Sequence, residues 1–475
     1  MARGAGDGAV VIGVDSSTQA TKALAVDVAT GEILGQGRAP HAVSAGAGRE
    51  SEPAQWWAAL STALGQTGYA ETAAAISIGG QQHGLVALDE GGDSVHPALL
   101  WNDVRSAPNA EALVERLGAQ AWAERVGSVP GASFTVTKWD WLREHHAEAA
   151  ERVRRVMLPH DYLTWRLTGE HVTDRGDVSG TGWWGPQGYD KEILSLVGLD
   201  ESLLPRVAEP GTAAGTVSSG LPIRAGIPVG TGTGDNMAAA LGLGLEPGVP
   251  VISLGTSGTA YAVTRGRPTD PTGTVAGFAD SLGNWLPLAC TLNCTLAVDR
   301  VAQWLGLDRG AIEPGGEAVV LPYLDGERTP NLPYASGLFY GLRHDTTPGQ
   351  ILRAAYEGAA ASLLTALDEV LRAGGEQPGD LPLILIGGGA KGDAWRTTVR
   401  RLSGRPVLVP RLEEIVAVGA AAQAAGLVTG ERADEVARRW KTREGTLYDP
   451  LTADQAVLER IASVRRRAEG LLSAE

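Results

Sequence analysis

Two stretches of the chain share one plan: VVIGVDSSTQATKALAVD at residues 10–27 and VISLGTSGTAYAV at residues 251–263. In each, a run of apolar residues reaches a small, hydroxyl-rich turn and returns as a second apolar run, a pattern that predicts a β-hairpin. Backbone N–H groups and hydroxyls at the rim of such a turn can bind phosphate oxygens. Two equivalent hairpins predict two related halves that face one polyphosphate ligand.

Length sets the scale of the molecule. A chain of 475 residues exceeds what one hydrophobic core serves, because cores stop growing beyond about 250 to 300 residues. We therefore expect two large domains, over residues 9–245 and 246–470. Strand-like and helix-like segments alternate in both halves, which predicts an α/β fold.

Charge and composition exclude several classes of partner. The formal net charge of −15 and the lack of a long basic run argue against nucleic acid or an anionic membrane. No window reaches the roughly 18 consecutive apolar residues of a membrane span, and residues 1–8 lack the apolar core of a signal peptide. We therefore expect a cytoplasmic protein. Cys290 and Cys294 have no Cys or His pair nearby that would complete a zinc site, so we expect reduced thiols.

A glycine-rich turn at residues 230–236, GTGTGDN, follows a short apolar strand and precedes a helix. It is not a dinucleotide fingerprint, because the third glycine comes two residues after the second and an acid follows at once. Taken alone, Asp235 could be a helix N-cap. The glycines also let another group approach its carboxylate, so Asp235 is a candidate general base with Asn236 as a polar neighbour.

Three further polar segments follow predicted strands. Residues 387–393, GGGAKGD, precede a helix, where backbone N–H groups bind anions and nucleotides, although a plain βα connection is equally compatible. His83, in GQQHG at residues 80–84, is either a structural histidine or a hydrogen-bonding group for a polyhydroxy ligand. The cluster Trp101-Asn102-Asp103-x-Arg105 is a weaker candidate for contact with a substrate.

Two longer stretches resemble the signatures of the FGGY carbohydrate kinases. They are SFTVTKWDWLREH at residues 133–145 and the segment from GLFYGL at 337–342 to QILRAAYE at 350–357. The resemblance covers nearly the whole chain, and matches of this length and spacing are specific. Four short motifs are similar to those of family members that phosphorylate D-xylulose: DSSTQ at 15–19, GQQHG at 80–84, LWND at 100–103 and GERTP at 326–330.

The resemblance implies a two-domain, actin-like (ribonuclease H-like) ATPase fold with a cleft between the domains. The first domain would bind the sugar and the second the nucleotide. The implied reaction is transfer of the γ-phosphoryl group of ATP to D-xylulose in the presence of Mg²⁺, and a homodimer is the usual assembly in the family.

The resemblance also implies roles for individual residues. Asp235 would accept the proton, and Gln82, His83 and Asn236 would contact the ketose. Asp15, with Asp235, would lie near Mg²⁺, mostly through water. The residues implied to face the phosphates or the adenosine are Ser17, Thr18, Gln19, Gly255, Thr256, Ser257, Gly388, Gly389 and Asp393.

Other functions stay open on the sequence alone. Another member of the family could act on ribulose, fuculose, gluconate or glycerol. A non-catalytic protein of the same fold could bind sugar and ATP, but Asp235 and the Gln82-His83 pair argue against it, because a pure nucleotide switch needs no sugar-side base. A dehydrogenase is disfavoured because the dinucleotide fingerprint is missing.

Overall fold

The computed structural model describes residues 8–44, 48–332, 334–377 and 379–473. The expectation that residues 1–8 are not a signal peptide concerns a segment whose first seven residues lie outside this range. The first half contains the strands β1 (Val10–Ser16), β2 (Ala20–Asp27), β3 (Ile33–Pro40), β4 (Glu50–Ser51), β5 (Ala75–Gly80), β6 (Val86–Leu88), β7 (Ala98–Leu99), β8 (Arg155–Met157), β9 (Val172–Thr173), β10 (Trp184–Gly185), β11 (Gly188–Tyr189), β12 (Arg206–Val207), β13 (Ala213–Thr216), β14 (Pro228–Gly230) and β15 (Thr233–Gly234).

The helices of the first half lie between these strands and vary from one turn to four turns. They are α1 (Pro53–Thr67), α2 (Ala107–Leu117), α3 (Ala119–Val126), α4 (Thr135–His145), α5 (Ala147–Arg152), α6 (Pro159–Thr168), α7 (Arg175–Val178), α8 (Lys191–Leu196) and α9 (Asp235–Gly242), with a 3₁₀ turn at Glu201–Leu203.

The second half has fewer strands and longer helices. Its strands are β16 (Pro250–Leu254), β17 (Gly258–Ala262), β18 (Ala276–Ala279), β19 (Trp285–Thr291), β20 (Val319–Leu321), β21 (Leu338–Tyr340), β22 (Leu383–Ile386), β23 (Val407–Pro410) and β24 (Gly445–Tyr448). Its helices are α10 (Thr295–Leu305), α11 (Pro348–Ala373), α12 (Asp393–Ser403), α13 (Ile415–Thr429), α14 (Ala433–Arg439), α15 (Gln455–Arg467) and α16 (Glu469–Leu472), with a 3₁₀ turn at Gly388–Lys391.

Each half is built around one mixed sheet, and both sheets have the same centre. In the first sheet, β1 pairs with β2 antiparallel and with β5 parallel; in the second, β16 pairs with β17 antiparallel and with β22 parallel. The full strand orders are β13-β14-β5-β1-β2-β3 and β18-β19-β17-β16-β22-β23-β24. The two predicted hairpins and the repeated α/β plan are therefore confirmed.

Helix α13 comes from the second half of the sequence but packs on the first sheet, against β1 and β5, and crosses α9. Its sequence, IVAVGAAAQAAGLVT, lets backbones approach closely. A Cβ atom at Gly13 would lie 2.0 Å from the carbonyl oxygen of Ala417, and one at Gly419 would lie 1.8 Å from that of Ala238. A further apolar cluster contains side chains of both halves, among them Met237, Val251 and Ile384. The two halves therefore share a core.

Among the described residues, no helix has the length and apolar content needed to cross a membrane.

Because α9 and α13 approach closely, glycine-to-alanine substitution should change the free energy of unfolding in opposite directions at two helical positions. Gly419→Ala places a methyl group against the backbone of α9 and should lower the free energy of unfolding by about 1–3 kcal/mol, as overpacking does. Gly65→Ala, at an exposed position of α1 with open space around it, should raise it by about 0.5–1 kcal/mol. Urea unfolding of both variants measures the difference, and equal midpoints would contradict the close approach.

Candidate active site

A cavity of about 260 Å³ lies where the two halves meet. Its walls include Gln82, His83, Asp235 and Asn236 from the first half and Ser257 and Arg328 from the second. We call it the first cavity. Four residues that the sequence analysis connected with a sugar thus lie around one space, although up to 154 positions separate them along the chain.

Parallel pairing brings the carboxylates of Asp15 and Asp235 to the same edge of the first sheet. Asp15, near the end of β1, lies in register with Gly79 of β5. On the other side of β5, Thr233 and Gly234 pair with Gly79 and Gly80, and Asp235 follows directly. Both carboxylates therefore flank the carboxyl end of β5, where ligands bind in open α/β sheets.

Asp235 is the first residue of α9, and Gly234 holds the N-cap position. The interpretation of Asp235 as a helix N-cap is therefore wrong. Its Oδ1 atom accepts hydrogen bonds from the backbone N–H of Asn236 at 2.8 Å and from Asn236 Nδ2 at 2.9 Å. Burial, and secondly the negative charge of Asp15, raise the pKa of Asp235 to about 7. A carboxylate with this pKa is suited to accept a proton near neutral pH.

Asn236 connects Asp235 to Gln82. Asn236 Nδ2 also donates to Gln82 Oε1 at 2.6 Å, which fixes the orientation of the Gln82 amide. Gln82 Nε2 is buried and has no hydrogen-bond partner among the described residues. A buried polar atom of this kind is usually satisfied, so the amide group is available to a hydroxyl of a ligand.

His83 lies in the left-handed backbone region, with φ of +65°. Its ring is stacked on Phe134 at a centroid distance of 5.4 Å and contacts Phe278 at 5.2 Å. Burial lowers the pKa of His83 to about 3, and the positive charge of Arg328 acts in the same direction. The imidazole is therefore neutral near pH 7 and can offer a ligand a hydrogen bond but no charge.

A second cavity of about 300 Å³ has Lys22, the cross-strand neighbour of Asp15, among its walls. Burial raises the pKa of Asp15 to about 6, against the opposing charge of Lys22, its cross-strand neighbour. Lys22 and Glu414 line the second cavity together with Gly388, and Lys22 Nζ lies 2.6 Å from Glu414 Oε2. The lysine opposite Asp15 is thus already paired with a carboxylate.

The two hairpin turns differ in what they contact. Ser17 directs its backbone N–H and its hydroxyl to the carbonyl of Ala20, at 3.0 and 2.9 Å. In the second hairpin, the carbonyl of Gly255 accepts hydrogen bonds from the N–H and hydroxyl of Thr295, which begins α10. The other predicted residues of the turns are placed as follows: Thr18 accepts a hydrogen bond from Trp101, the carbonyls of Gln19 and Thr256 bind the N–H groups of His41 and Leu296, and Ser257 lines the first cavity.

The predicted nucleotide turn after β22 reaches the second cavity only in part. Gly388 lines that cavity. Gly389 packs on Leu254 of the second hairpin, where a Cβ would lie 2.8 Å from Leu254 Cβ. Asp393 has an exposed carboxylate 3.5 Å from Arg396 and is not among the cavity walls.

The residues of the Trp101–Arg105 cluster have two roles, one at the cavity and one in an ion pair. Trp101 lines the first cavity. Asp103 and Arg105 form an ion pair at 2.6 Å, and Arg105 also contacts Glu50 at 2.5 Å. We therefore assign Asp103 and Arg105 to structure and only Trp101 to the site.

Arg328 is a wall residue to which the sequence analysis gave no role, although it lies in the GERTP motif. Its neighbour Glu327 turns its carboxylate away, to Leu292 and Asn293. Arg328 and Asp235 line the same cavity. The sequence feature that could have identified Arg328 is its place in a turn between a glycine and a proline. Cys290 also lines the cavity, and both it and Cys294 are free thiols.

Comparison with known proteins identifies relatives over nearly the full length. A model of the FGGY family of carbohydrate kinases, N-terminal domain, matches residues 10–242, and the C-terminal domain model matches residues 251–427. The xylulose kinases of Streptomyces coelicolor and Streptomyces rubiginosus are 66% and 65% identical, each over 98% of this chain and 98% of that protein. The structure of xylulose kinase from Bifidobacterium adolescentis, 36% identical, covers 96% of this chain and 99% of its own, with a TM-score of 0.84. These matches confirm the predicted two-domain α/β fold.

The packing around His83 predicts that Gly180→Ala will disturb ligand binding in the first cavity. A Cβ atom at residue 180 would lie 2.1 Å from His83 Cε1 and 2.4 Å from Nδ1, while the two phenylalanines hold the ring in place. We expect the KM for D-xylulose to rise about tenfold or more, because small displacements of binding groups have large effects.

Gly131→Ala is the matched control for this substitution. Gly131 lies in the loop before Phe134 with open space around its Cβ position, so its KM should stay within about twofold of the wild-type value. Equal KM values for the two variants would show that Gly180 does not support His83.

Proposed function

This chain belongs to the FGGY family of carbohydrate kinases, and we propose that it transfers the γ-phosphoryl group of ATP to the 5-hydroxyl of D-xylulose. The products are D-xylulose 5-phosphate and ADP. The observation that carries this proposal is the carboxylate of Asp235, which faces the first cavity beside the hydrogen-bonding groups of Gln82, His83 and Asn236. The relatives at 65–66% identity, both named xylulose kinases, support the choice of acceptor.

Asp235 is the general base of the proposed reaction. The sugar oxygen forms its bond to the γ-phosphorus as the bond from that phosphorus to the β,γ-bridging oxygen breaks, and ADP leaves. The hydroxyl proton passes to the carboxylate of Asp235. Phosphoryl transfer requires mainly positioning and charge stabilisation, so the work of Gln82, His83 and Asn236 is to hold the acceptor hydroxyl in line.

The second cavity is the proposed nucleotide site. Lys22, the cross-strand neighbour of Asp15, is one of its walls, so a triphosphate bound there would have its terminal group near Asp15. Residues 17–19 and 255–257 would face the phosphates, and Gly388, Gly389 and Asp393 the adenosine. The exposed position of Asp393 makes it the weakest of these assignments.

The acidic pair fits a requirement for Mg²⁺. Burial raises the pKa of both Asp15 and Asp235, and the charge of Asp15 adds to the rise at Asp235. The charge of Lys22, which lowers the pKa of Asp15, is opposed by that of its partner Glu414. The two carboxylates would hold Mg²⁺ mostly through water. When bound, Mg²⁺ neutralises charge on the phosphate oxygens. A homodimer, expected from the family, stays a prediction.

ADP release from Mg·ATP tests the proposal, with D-xylulose, D-ribulose, L-ribulose, glycerol or no sugar, for the wild type and for Asp235→Asn. We expect a clear preference for D-xylulose and slow hydrolysis without sugar. In the variant, kcat should fall by at least about 100-fold with unchanged nucleotide affinity, because the base is removed while the shape is kept.

The outcomes test separately the kinase activity, the choice of acceptor and the role of Asp235. Preference for another polyol would retain the kinase and correct the acceptor. The absence of any sugar-dependent ADP release would favour the non-catalytic alternative. Near-normal turnover of the Asp235 variant would remove that residue from the base role.

The pKa of Asp235 predicts the pH dependence of the rate. A base acts only when deprotonated, and its pKa is raised to about 7, so kcat/KM for D-xylulose should fall on the acid side of pH 7 and level off above it. Below the pKa, the expected loss is about tenfold for each pH unit. A direct ADP assay between pH 5.5 and 8.5 measures the profile, and a flat profile across this range would contradict the assignment.

A further inference from the structure

A cluster of four buried ionisable side chains lies behind the first cavity without lining it. His160, Asp161, Asp174 and Asp177 are each at most 4% exposed. His160 Nδ1 lies 2.9 Å from Asp177 Oδ2, and His160 Nε2 lies 3.1 Å from Asp161 Oδ1 and 3.7 Å from Asp174 Oδ1. Three carboxylates thus surround one imidazole.

His160 packs against both glycine turns that carry the proposed sugar contacts. A Cβ atom at Gly80 would lie 2.9 Å from His160 Cβ, and one at Gly232 would lie 2.7 Å from His160 Cδ2. The first turn leads to Gln82 and His83, and the second to Asp235. One side chain therefore touches the backbone of both segments.

Asp174 extends the cluster to the segment before the base. Its Oδ2 atom accepts a hydrogen bond from Thr233 Oγ1 at 2.8 Å, two residues ahead of Asp235. The hydroxyl of Thr233 in turn accepts a hydrogen bond from Ser281 of the second half at 2.7 Å. Thr233 is 1% exposed, so these are its partners in place of water.

Asp177 extends the cluster to His83. Its backbone carbonyl accepts a hydrogen bond from the N–H of Gly180 at 2.9 Å. Gly180 is the residue against which the His83 ring packs. Asp177 therefore supports the His83 ring through Gly180.

Joining two turns through a cluster of buried charges costs free energy. Burying charges costs free energy that their attraction does not always return, and apolar side chains of the same volume would often be at least as stable. Although burial lowers it, the three carboxylates raise the pKa of His160 to about 9, so the imidazole carries a charge that offsets part of theirs. Buried polar networks of this kind fix geometry, which catalysis requires.

We propose that His160, Asp174, Asp177 and Thr233 form a positioning network that fixes Asp235 and His83 relative to one another. None of the four lines the first cavity. The inference depends on the proposed function, because it assumes that Asp235 and His83 act on the acceptor.

Thr233→Val tests the network with the least disturbance, because it replaces one hydroxyl by a methyl group. We expect kcat for D-xylulose to fall by about 10- to 100-fold at unchanged nucleotide affinity, since Asp235 loses its fixed position. Thr233→Ser restores the hydroxyl and should recover activity to within about threefold of the wild type. A merely structural hydroxyl would change the unfolding midpoint and leave kcat and KM as they are.

Thr164→Val is the control, because it makes the same change on the same helix as His160, one turn further on. Thr164 is fully buried and its hydroxyl has no hydrogen-bond partner among the described residues, so the kinetics should not change. Equal kcat values for Thr233→Val and Thr164→Val would overturn the proposal, as would failure of Thr233→Ser to recover activity.

A second measurement separates this inference from the proposed function. If wild type transfers nothing to any sugar, the proposed function fails and kinetics cannot judge the network. Crystal structures of the Thr233→Val and Thr164→Val variants then decide. A displaced Asp235 carboxylate in the first variant alone supports the network, and superimposable sites in both variants refute it.

Discussion

Strand β5 determines the geometry of the site, because it pairs in parallel with β1 on one side and with β15 on the other. Gly79 is in register with both Asp15 and Thr233, so the pairing alone sets where Asp15 and Asp235 stand. The strand must end in two glycines. A Cβ at Gly79 would lie 2.9 Å from a methyl group of Val416, and one at Gly80 equally close to His160. Larger residues would separate the sheet from the helices that support it.

The charges around this strand form two groups of different kind. On the cavity side, burial raises the pKa of Asp15 and of Asp235, the charge of Asp15 adds to the rise at Asp235, and Lys22 beside Asp15 is paired with Glu414. On the buried side, three carboxylates surround His160. In the proposed reaction the first group receives Mg²⁺ and a polyphosphate from solution, whereas the charge of the second group is partly offset within the protein by His160. The Asp15–Asp235 pair would therefore change its binding partners during a reaction, whereas the carboxylates around His160 would keep theirs.

Local patterns in the sequence predicted the parts of the fold that depend on neighbours in the chain. These parts are both hairpins, the glycine turns and Asp235, because a strand followed by glycines and an acid can be identified from consecutive residues alone. Helix α13 does not, since nearly all of its residues are small and apolar and show no preferred face. Its partners on the first sheet lie at the other end of the chain. His160 and Asp174 were missed for the same reason: isolated polar residues in a helix or just before one resemble surface residues until the fold brings them together. Arg328 was noticed only as part of a motif.

The return of α13 to the first sheet also determines the order in which the molecule can be completed. Strand β1 is synthesised first, but the helix that covers it is among the last elements to be made, and Lys22 and Glu414 are separated by 392 positions. Contacts of such long separation form slowly, because the entropy of closing the loop must be lost before they contribute. The first sheet therefore stays partly uncovered while the second half is translated. Its apolar face is the part of a nascent chain that a chaperone would need to shield.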